Sequence, residues 1–305
     1  MKLLALSHYE NDTDTRFGDC ILIFDSFNLI VYDCGHTKHV DYIMDFLRSH
    51  REISDVHIVV SHNDSDHTAG ICDLLDRLHD QHRFTVQVYA HLYLKHVDDI
   101  LNQIDDGRRS RERLKECLLE EFNHIREIIE VAQKHHILVV EALSKTAVAT
   151  GSIVGPSKEE FISVAAKAVD NRASNIIEKE TVMNAASVQL RCDIDDYGKT
   201  ILCGDAAPSF LRDLNEYEII QLPHHGKLAD AKDIFQQLEG DSYKKVFLVS
   251  DNTGSSMTSG GSDDLVEYMK KERYDPAKNT RNGIIDLPSD GILPMKSSNQ
   301  RTYLG

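Results

Sequence analysis

SHNDSDHTAG, residues 61–70, places four potential metal ligands within six positions: His62, Asp64, Asp66 and His67. The run DVHIVV, residues 55–60, precedes it and is apolar enough to predict a buried strand. The four side chains would therefore lie at the carboxyl end of a strand, where α/β folds build their sites. Aspartate alone would suit the start of a helix, but a helix cap does not require two histidines at this spacing. Imidazole and carboxylate together favour Zn²⁺, Mn²⁺ or Fe over a thiolate-bound structural zinc, so the stretch predicts a metal centre.

Strands and helices alternate on both sides of this loop. Short β-rich segments predict strands at residues 2–7, 20–24, 29–32, 84–90, 137–140, 187–191, 200–203, 219–222, 245–250 and 283–287. Apolar residues at helical spacing predict helices at residues 39–49, 71–78 and 263–272. This order predicts an α/β fold of layered sheets and helices, and we interpret residues 1–305 as a single domain.

Residues 97–136 depart from this alternation. Leucine and isoleucine recur there at helical spacing with an interruption at Asp106-Gly107, which predicts a helical insertion within the domain. The apolar stripe of the insertion would either cover the core or form a homodimer interface, and the sequence leaves both open. Further along, residues 253–262 (TGSSMTSGGS) predict a loop that would serve as a mobile lid or wall for a substrate.

The charge of the chain is strongly acidic. It has 34 Lys and Arg against 50 Asp and Glu, a formal net charge of −16, which argues against a broad basic surface for duplex DNA. A small phosphate substrate is still compatible, because bound divalent cations invert the local field. The 6 cysteines form no CxxC pair, the first residues turn polar too early for a signal peptide, and no apolar run reaches the ~18 residues of a membrane span. We therefore expect reduced thiols, no membrane partner and a cytoplasmic location.

The motif H-x-D-x-D-H of residues 62–67 resembles the H-x-H-x-D-H signature of the metallo-β-lactamase superfamily. The aspartate at its third position resembles the ComEC/Rec2-like subgroup of competence nucleases. Further segments resemble that subgroup in the same order along the chain: residues 18–23 (GDCILI), 33–35 (DCG), 184–188 (NAASV), 198–205 (GKTILCGD), 222–226 (LPHHG) and 280–284 (TRNGI). The resemblance covers most of the chain apart from the helical insertion.

The resemblance implies an αββα four-layer sandwich, in which two mixed β-sheets pack face to face with helices outside. It places one or two divalent ions, Zn²⁺ or Mn²⁺, at one edge of the sandwich. Their ligands would be His62, Asp64, Asp66 and His67 together with Asp205, which would bridge two ions. One of His224 and His225 would bind the second ion and the other would face the substrate or a neighbouring carboxylate, and the sequence does not distinguish between them.

Three further residues would support the ligands. The resemblance implies that Asp19, Asp33 and Ser187 lie beside the ligands and orient them, although turn formation would explain the two aspartates equally well. Asn184 marks a departure, because the usual third histidine on the first ion has no clear match and Asn184 stands in that part of the pattern. An amide is a poorer ligand, so the first site would be weaker. Asp64 in place of a histidine makes the ligand set harder in the Lewis sense, which favours Mn²⁺ as a competitor of Zn²⁺.

These roles imply a metal-dependent hydrolase that uses a metal-activated water. Asp66 would take part in proton transfer, and His224 or His225 would stabilise the developing oxyanion together with Asn184. The subgroup resemblance favours phosphodiester bonds, in a nucleic acid or a small phosphate ester. Two alternatives remain open. One is a hydrolase of a carboxylic ester, lactone or lactam, and the other is a metal-stabilised regulatory or partner-binding module whose functional surface is the helical insertion.

Overall fold

The computed structural model describes residues 1–6, 18–104, 110–169, 176–177, 180–250, 263–289 and 291–293. The predicted break at Asp106-Gly107 and the predicted lid at residues 253–262 lie outside these ranges. The helices are α1 (Thr37–Ser49), α2 (Ser65–Thr68), α3 (Ile71–Asp80), α4 (Val97–Ile104), α5 (Arg111–Glu121), α6 (Asn123–Lys134), α7 (Lys158–Val169), α8 (Val182–Ala185), α9 (Pro223–Gly226), α10 (Leu228–Leu238) and α11 (Asp263–Glu272). Within the ranges given above, no helix has the length and apolar character needed to cross a bilayer.

The strands follow the predicted segments and add several short ones. They are β1 (Lys2–Ala5), β2 (Ile21–Phe24), β3 (Asn28–Tyr32), β4 (Asp55–Val59), β5 (Thr85–Ala90), β6 (Leu138–Glu141), β7 (Ala147–Val148), β8 (Gly151–Gly155), β9 (Ile176–Ile177), β10 (Glu180–Thr181), β11 (Gln189–Ile194), β12 (Gly198–Leu202), β13 (Ile219–Gln221), β14 (Val246–Val249), β15 (Lys278–Asn279), β16 (Ile284–Leu287) and β17 (Gly291–Leu293).

In the described part of the chain, these strands form two large mixed sheets besides the short pair of β9 and β10. The first sheet has the order β17-β16-β1-β2-β3-β4-β5-β6, and its strands β3 to β6 run parallel. The second has the order β15-β14-β13-β12-β11-β8-β7, and its strands β12 to β15 run parallel. Helices pack on the outer face of each sheet. The predicted αββα four-layer sandwich is therefore confirmed.

The alternation of side chains along each strand divides the core into layers. Ile30 and Tyr32 of β3 belong to the cluster that joins the two sheets, whereas Leu29 and Val31 belong to the cluster beneath the helices of the first sheet. Ile234 of α10 packs in a third cluster, on the outer face of the second sheet. Successive residues of a strand point to opposite faces, so both faces of these sheets are buried. This explains why the strands read as nearly continuous apolar runs.

The predicted helical insertion at residues 97–136 contains α4, α5 and α6. Leu114, Leu118, Ile125 and Ile128 are at most 1% exposed and belong to the cluster on the outer face of the first sheet. The apolar stripe therefore covers the core of its own chain. A homodimer through the insertion stays a prediction, and it would have to use other side chains.

The parallel strands of both sheets end at one edge of the sandwich. β3 leads into Asp33, β4 into His62, β12 into Asp205 and β13 into His224. β2 runs antiparallel to β3, so Asp19, which precedes β2, comes to the same edge. Residues that are far apart in the sequence therefore converge, because the carboxyl ends of parallel strands lie together.

The turn at Gly35 packs against the loop of residues 61–70. Asp19 N–H donates to Asp66 O at 2.7 Å, Cys34 N–H donates to His67 O at 3.0 Å, and Gly35 N–H donates to Asp19 O at 2.9 Å. A Cβ atom built on Gly35 would lie 1.7 Å from Asp66 O, which is well inside van der Waals contact. Glycine at this position therefore allows three loops to brace one another.

We expect Gly35→Ala to displace the loop of Asp66, because the clashing atoms belong to the backbone and cannot rotate away. Overpacking of this kind costs roughly 1–3 kcal/mol, so the melting temperature should fall and metal binding should weaken. Gly240→Ala is the matched control, since its added methyl group would meet nothing within 4 Å. Equal melting temperatures and metal affinities in the two variants would show that the contact at Gly35 does not position the loop.

Candidate metal centre

The side chains of the 62–67 motif divide between two sides of one centre. Asp64 occupies the N-cap position of α2 with extended backbone angles (φ −68°, ψ 145°), and the chain turns into the helix immediately afterwards. His62 Nε2 lies 3.7 Å from Asp64 Oδ2 on one side. Asp66 Oδ2 lies 3.2 Å from His225 Nε2 on the other. The turn between extended chain and helix thus places Asp64 and Asp66 on different sides, while the ring centroids of His62 and His67 lie 4.2 Å apart.

Asp205 lies between these two sides. Its Oδ1 is 3.6 Å from His67 Nε2, and its Oδ2 is 3.8 Å from His62 Nε2 and 3.4 Å from His224 Nε2. The residue is 4% exposed, and its N–H donates to Ser187 Oγ at 3.3 Å. One carboxylate therefore faces three imidazoles, that of His67 through Oδ1 and those of His62 and His224 through Oδ2.

Two of the histidines that turn Nε2 towards the centre are held through Nδ1. His67 Nδ1 lies 2.8 Å from Asp33 Oδ2. His225 Nδ1 lies 2.8 Å from Ser250 O and 3.1 Å from Asp19 Oδ1. An acceptor at Nδ1 fixes the tautomer and the orientation of the ring and makes Nε2 a better ligand. Asp33 and Asp19 thus lie beside the rings of His67 and His225 and orient them.

His224 and His225 both have left-handed backbone angles, φ 53° and ψ 47° for His224 and φ 54° and ψ 29° for His225. This region costs roughly 1–3 kcal/mol for a residue other than glycine, so the surrounding structure must hold the turn. The turn lets two adjacent imidazoles reach the centre, His224 towards Asp205 and His225 towards Asp66. The sequence left open which of the two is a ligand, and the structure brings both to the centre on different sides.

Asn184 reaches the side that holds His62 and Asp64. Its Nδ2 donates to Asp64 Oδ2 at 3.2 Å and lies 3.4 Å from His224 Nε2. Ser187 fixes the same loop, because its Oγ donates to Asn184 O at 2.8 Å. Asn184 stands where the resemblance would expect a third histidine. His224 brings an imidazole to the same side of the centre.

Imidazoles and carboxylates shift one another's pKa at this centre. Burial by itself raises the pKa of Asp205, but His224 and His67 outweigh burial and lower it well below its ordinary value. Burial also opposes the lowered pKa of Asp66, which His225 and His67 bring about. Burial lowers the pKa of His67, but Asp205 and Asp19 raise it well above the ordinary value. The pKa of His225 is raised against burial too, mainly by Asp19. The oxygens of the centre are thus negatively charged, and a divalent cation can replace the protons on its nitrogens.

Buried ligand atoms without hydrogen bonds mark where cations would bind. Among the residues that the structure describes, His62 Nε2, His67 Nε2 and Asp205 Oδ1 are buried and make no hydrogen bond. Donor atoms of these three residues lie within 4.8 Å of one another, and so do those of Asp19, His67 and His225. Buried polar atoms are normally satisfied, and imidazole with carboxylate suits divalent transition metals. The residues present therefore fit a divalent metal centre.

Sequence reasoning missed two polar residues beneath the centre. Gln221 Nε2 donates to Asp19 Oδ2 at 3.3 Å, and its Oε1 accepts from Cys203 N–H at 3.0 Å. Asp230 is 2% exposed, and its Oδ2 lies 3.7 Å from His224 Nδ1. The glutamine at the end of an apolar strand was a signal that could have been read. Asp230 gave no such signal, because an aspartate in the first turn of a helix is common.

Comparison with solved structures gives matches at low identity. A Thermotoga maritima protein provisionally described as a metallo-beta-lactamase matches with a TM-score of 0.37 and 11% identity, over 78% of this chain and 92% of that chain. The metallo-beta-lactamase fold protein YhfI from Bacillus subtilis matches with a TM-score of 0.41 and 13% identity, over 72% of this chain and 69% of that chain. Comparison with family models and with curated proteins gives no match. The αββα layering of this chain follows from its own strand order.

We expect the metal-free protein to lose stability as the pH rises. The raised pKa values of His67 and His225 contribute stability below about pH 6.5, and this contribution is lost as the pH rises through their folded-state values. The lowered pKa values of Asp66 and Asp205 contribute above about pH 4 and are lost only in acid. The chelated protein should therefore melt at a lower temperature near pH ~9 than near pH ~6, since the carboxylates lose their protonated partners.

Melting curves with EDTA and with added Mn²⁺ or Zn²⁺ measure this effect. The metal should remove most of the decline, because it takes the place of the lost protons. A gap between the two melting temperatures that does not widen with pH would contradict the assignment of these groups to a metal centre.

Proposed function

We propose that the protein is a metal-dependent hydrolase that holds two divalent ions, Zn²⁺ or Mn²⁺, and cleaves phosphodiester bonds in a nucleic acid or a small phosphate ester. The observation that carries the proposal is the position of Asp205, whose two carboxylate oxygens face two different sets of imidazoles. Two-metal centres stabilise both the attacking and the leaving oxygen of a phosphoryl displacement. The resemblance of the sequence motifs to the ComEC/Rec2-like subgroup also supports this substrate class.

The charge of the centre supports the binding of two ions. Carboxylates come to it from Asp19, Asp33, Asp64, Asp66 and Asp205. These groups alone would repel an anionic substrate, and one divalent ion would leave the centre clearly negative. Two ions would nearly balance the carboxylates. On a chain with a net charge of −16, that local balance would allow a phosphate ester to approach.

A bound divalent ion would act as a Lewis acid and lower the pKa of a bound water to about 7. The remaining chemistry falls to the side chains. Asp66 has a side chain that is 18% exposed, so it lies where it can hold the nucleophilic water and accept its proton. Asn184 lies beside His224 on the other side of Asp205, where its Nδ2 would donate to an oxygen that gains negative charge.

Hydrolysis of bis-p-nitrophenyl phosphate, a lactone and nitrocefin, each with added Mn²⁺ or Zn²⁺, tests the proposal. We expect cleavage of the phosphodiester that stops after chelation. Asp66→Ala should lower kcat by ~10²-fold or more, because a positioned proton acceptor contributes 10²–10⁴-fold. Asp80→Ala removes an exposed carboxylate at the end of α3 and should leave kcat unchanged.

The other outcomes distinguish the alternatives. Cleavage of the lactone or of nitrocefin without cleavage of the phosphodiester would replace the proposal with acyl hydrolysis. Tight metal binding without hydrolysis of any of the three substrates would favour a metal-stabilised binding module.

A further inference from the structure

Asn63 joins the metal-binding loop to the helical insertion. It lies between two residues of the motif and is 8% exposed. Its Oδ1 accepts hydrogen bonds from the N–H groups of His124 and Ile125, both at 3.0 Å. Its Nδ2 donates to Asn123 Oδ1 at 2.9 Å, and its carbonyl oxygen lies 2.6 Å from His124 Nδ1. Both the side chain and the backbone of Asn63 are thus committed to the start of α6.

These contacts cap a helix that does not cap itself. The N-cap residue of α6 is Phe122, which makes no side-chain cap hydrogen bond. The first amides of a helix have no partner within the helix, and a side-chain oxygen at the N-cap usually satisfies them. Asn63 provides that oxygen from another part of the chain. The start of α6 and the metal-binding loop therefore cannot separate without leaving buried amides unsatisfied.

The helical layer reaches the same side of the centre at a second point. The ring centroid of Phe161, in α7, lies 5.9 Å from that of Phe122. The same ring stacks on His91, with 4.5 Å between the centroids. His91 Nε2 donates to Ala186 O at 3.0 Å, next to the turn that carries Asn184. Burial lowers the pKa of His91 to about 4, so its ring is neutral and has its single proton on Nε2. The helical layer thus reaches the half of the centre that contains His62 twice. Asn63 is the first point of contact, and the second is His91, which holds the turn of Asn184.

We propose that Asn63 is a positioning residue through which the helical insertion holds His62 and Asp64 in the arrangement that binds metal. The inference rests on the proposed metal centre and extends it, because it makes the insertion part of that centre. The half around His62 depends on this support. The half around His67 has further partners that do not involve Asn63, because Asp33 Oδ2 holds His67 Nδ1 and Asp19 N–H donates to Asp66 O, so loss of Asn63 should affect it less.

Asn63→Ala tests the proposal, and its effect is compared with the loss of a cap from another helix of the insertion. Ser110→Ala is the control, because Ser110 Oγ accepts from Arg113 N–H at 3.2 Å and caps α5 of the same insertion. Asn63→Asp keeps an acceptor for the amides of α6 and tests rescue. Asn123→Ala breaks one contact from the helix side and provides a milder variant if Asn63→Ala does not fold.

Titration with Co²⁺, followed by visible absorption, gives the number of ions and their affinities. Hydrogen exchange of the metal-free proteins reports on the loop directly.

We expect Asn63→Ala to weaken one of two Co²⁺ sites by ~10-fold or more, the range found when a partner of a metal ligand is removed. The other site should change by less than ~3-fold, because the substitution leaves the partners of His67 and His225 in place. Exchange should become faster in residues 62–68 and at the start of α6. Ser110→Ala should change neither the affinity nor the exchange of the loop, Asn63→Asp should restore most of both, and Asn123→Ala should weaken the same site by a smaller factor.

Equal Co²⁺ binding and equal loop exchange in Asn63→Ala and Ser110→Ala would overturn the inference. A wild-type protein that binds no Co²⁺, but whose loop exchanges faster after Asn63→Ala, would refute the proposed metallohydrolase and still support the coupling of loop and insertion. The two proposals can therefore fail separately.

Discussion

Asp205 is buried among imidazoles at the edge where the two sheets meet, and the surrounding loops are arranged around it. A buried carboxylate loses several kcal/mol of solvation, and only nearby positive charge compensates for that loss. Protonated histidines or divalent cations are the possible sources of this charge. His67 and His225 are fixed through Nδ1 and Asp205 is buried, so the centre does not relax by turning one of these side chains out to water. Positive charge beside Asp205, from protonated imidazoles or bound cations, is therefore a requirement of the fold.

The backbone around the centre is held in conformations that the sequence alone would not favour. His224 and His225 have left-handed angles, and Asp33 also has a positive φ of 60°. Such residues persist only where contacts on all sides determine them. Asp33 bonds to the backbone of Ser61 at 2.7 Å, and His225 bonds to Ser250 O. The strain is thus tied to the groups that orient the histidines, which indicates a functional constraint on the turn.

The parts of the structure that sequence reasoning predicted are those with local causes. Strands buried on both faces show as apolar runs, and the motif at residues 62–67 is visible because its members are close in sequence. Helices α7 and α10 were not predicted. The choice between His224 and His225 depended on a left-handed turn. The residue types at those positions do not predict such a turn, since the glycine that would favour it appears only at the next position. The apolar stripe of the insertion could not be assigned to the core or to an interface, because both would bury the same side chains.

The motif itself explains why a helical insertion can support the metal centre. Asp64 has extended backbone angles, and successive residues of extended chain point to opposite sides. His62 and Asp64 face Asp205 and its neighbours, so Asn63 between them faces away, towards α6. Any contact that stabilises one side of this short stretch also stabilises the other, and such coupling is reciprocal. A cation bound by His62 and Asp64 would therefore also hold the amide acceptor of α6, and the insertion would become more ordered as the centre fills.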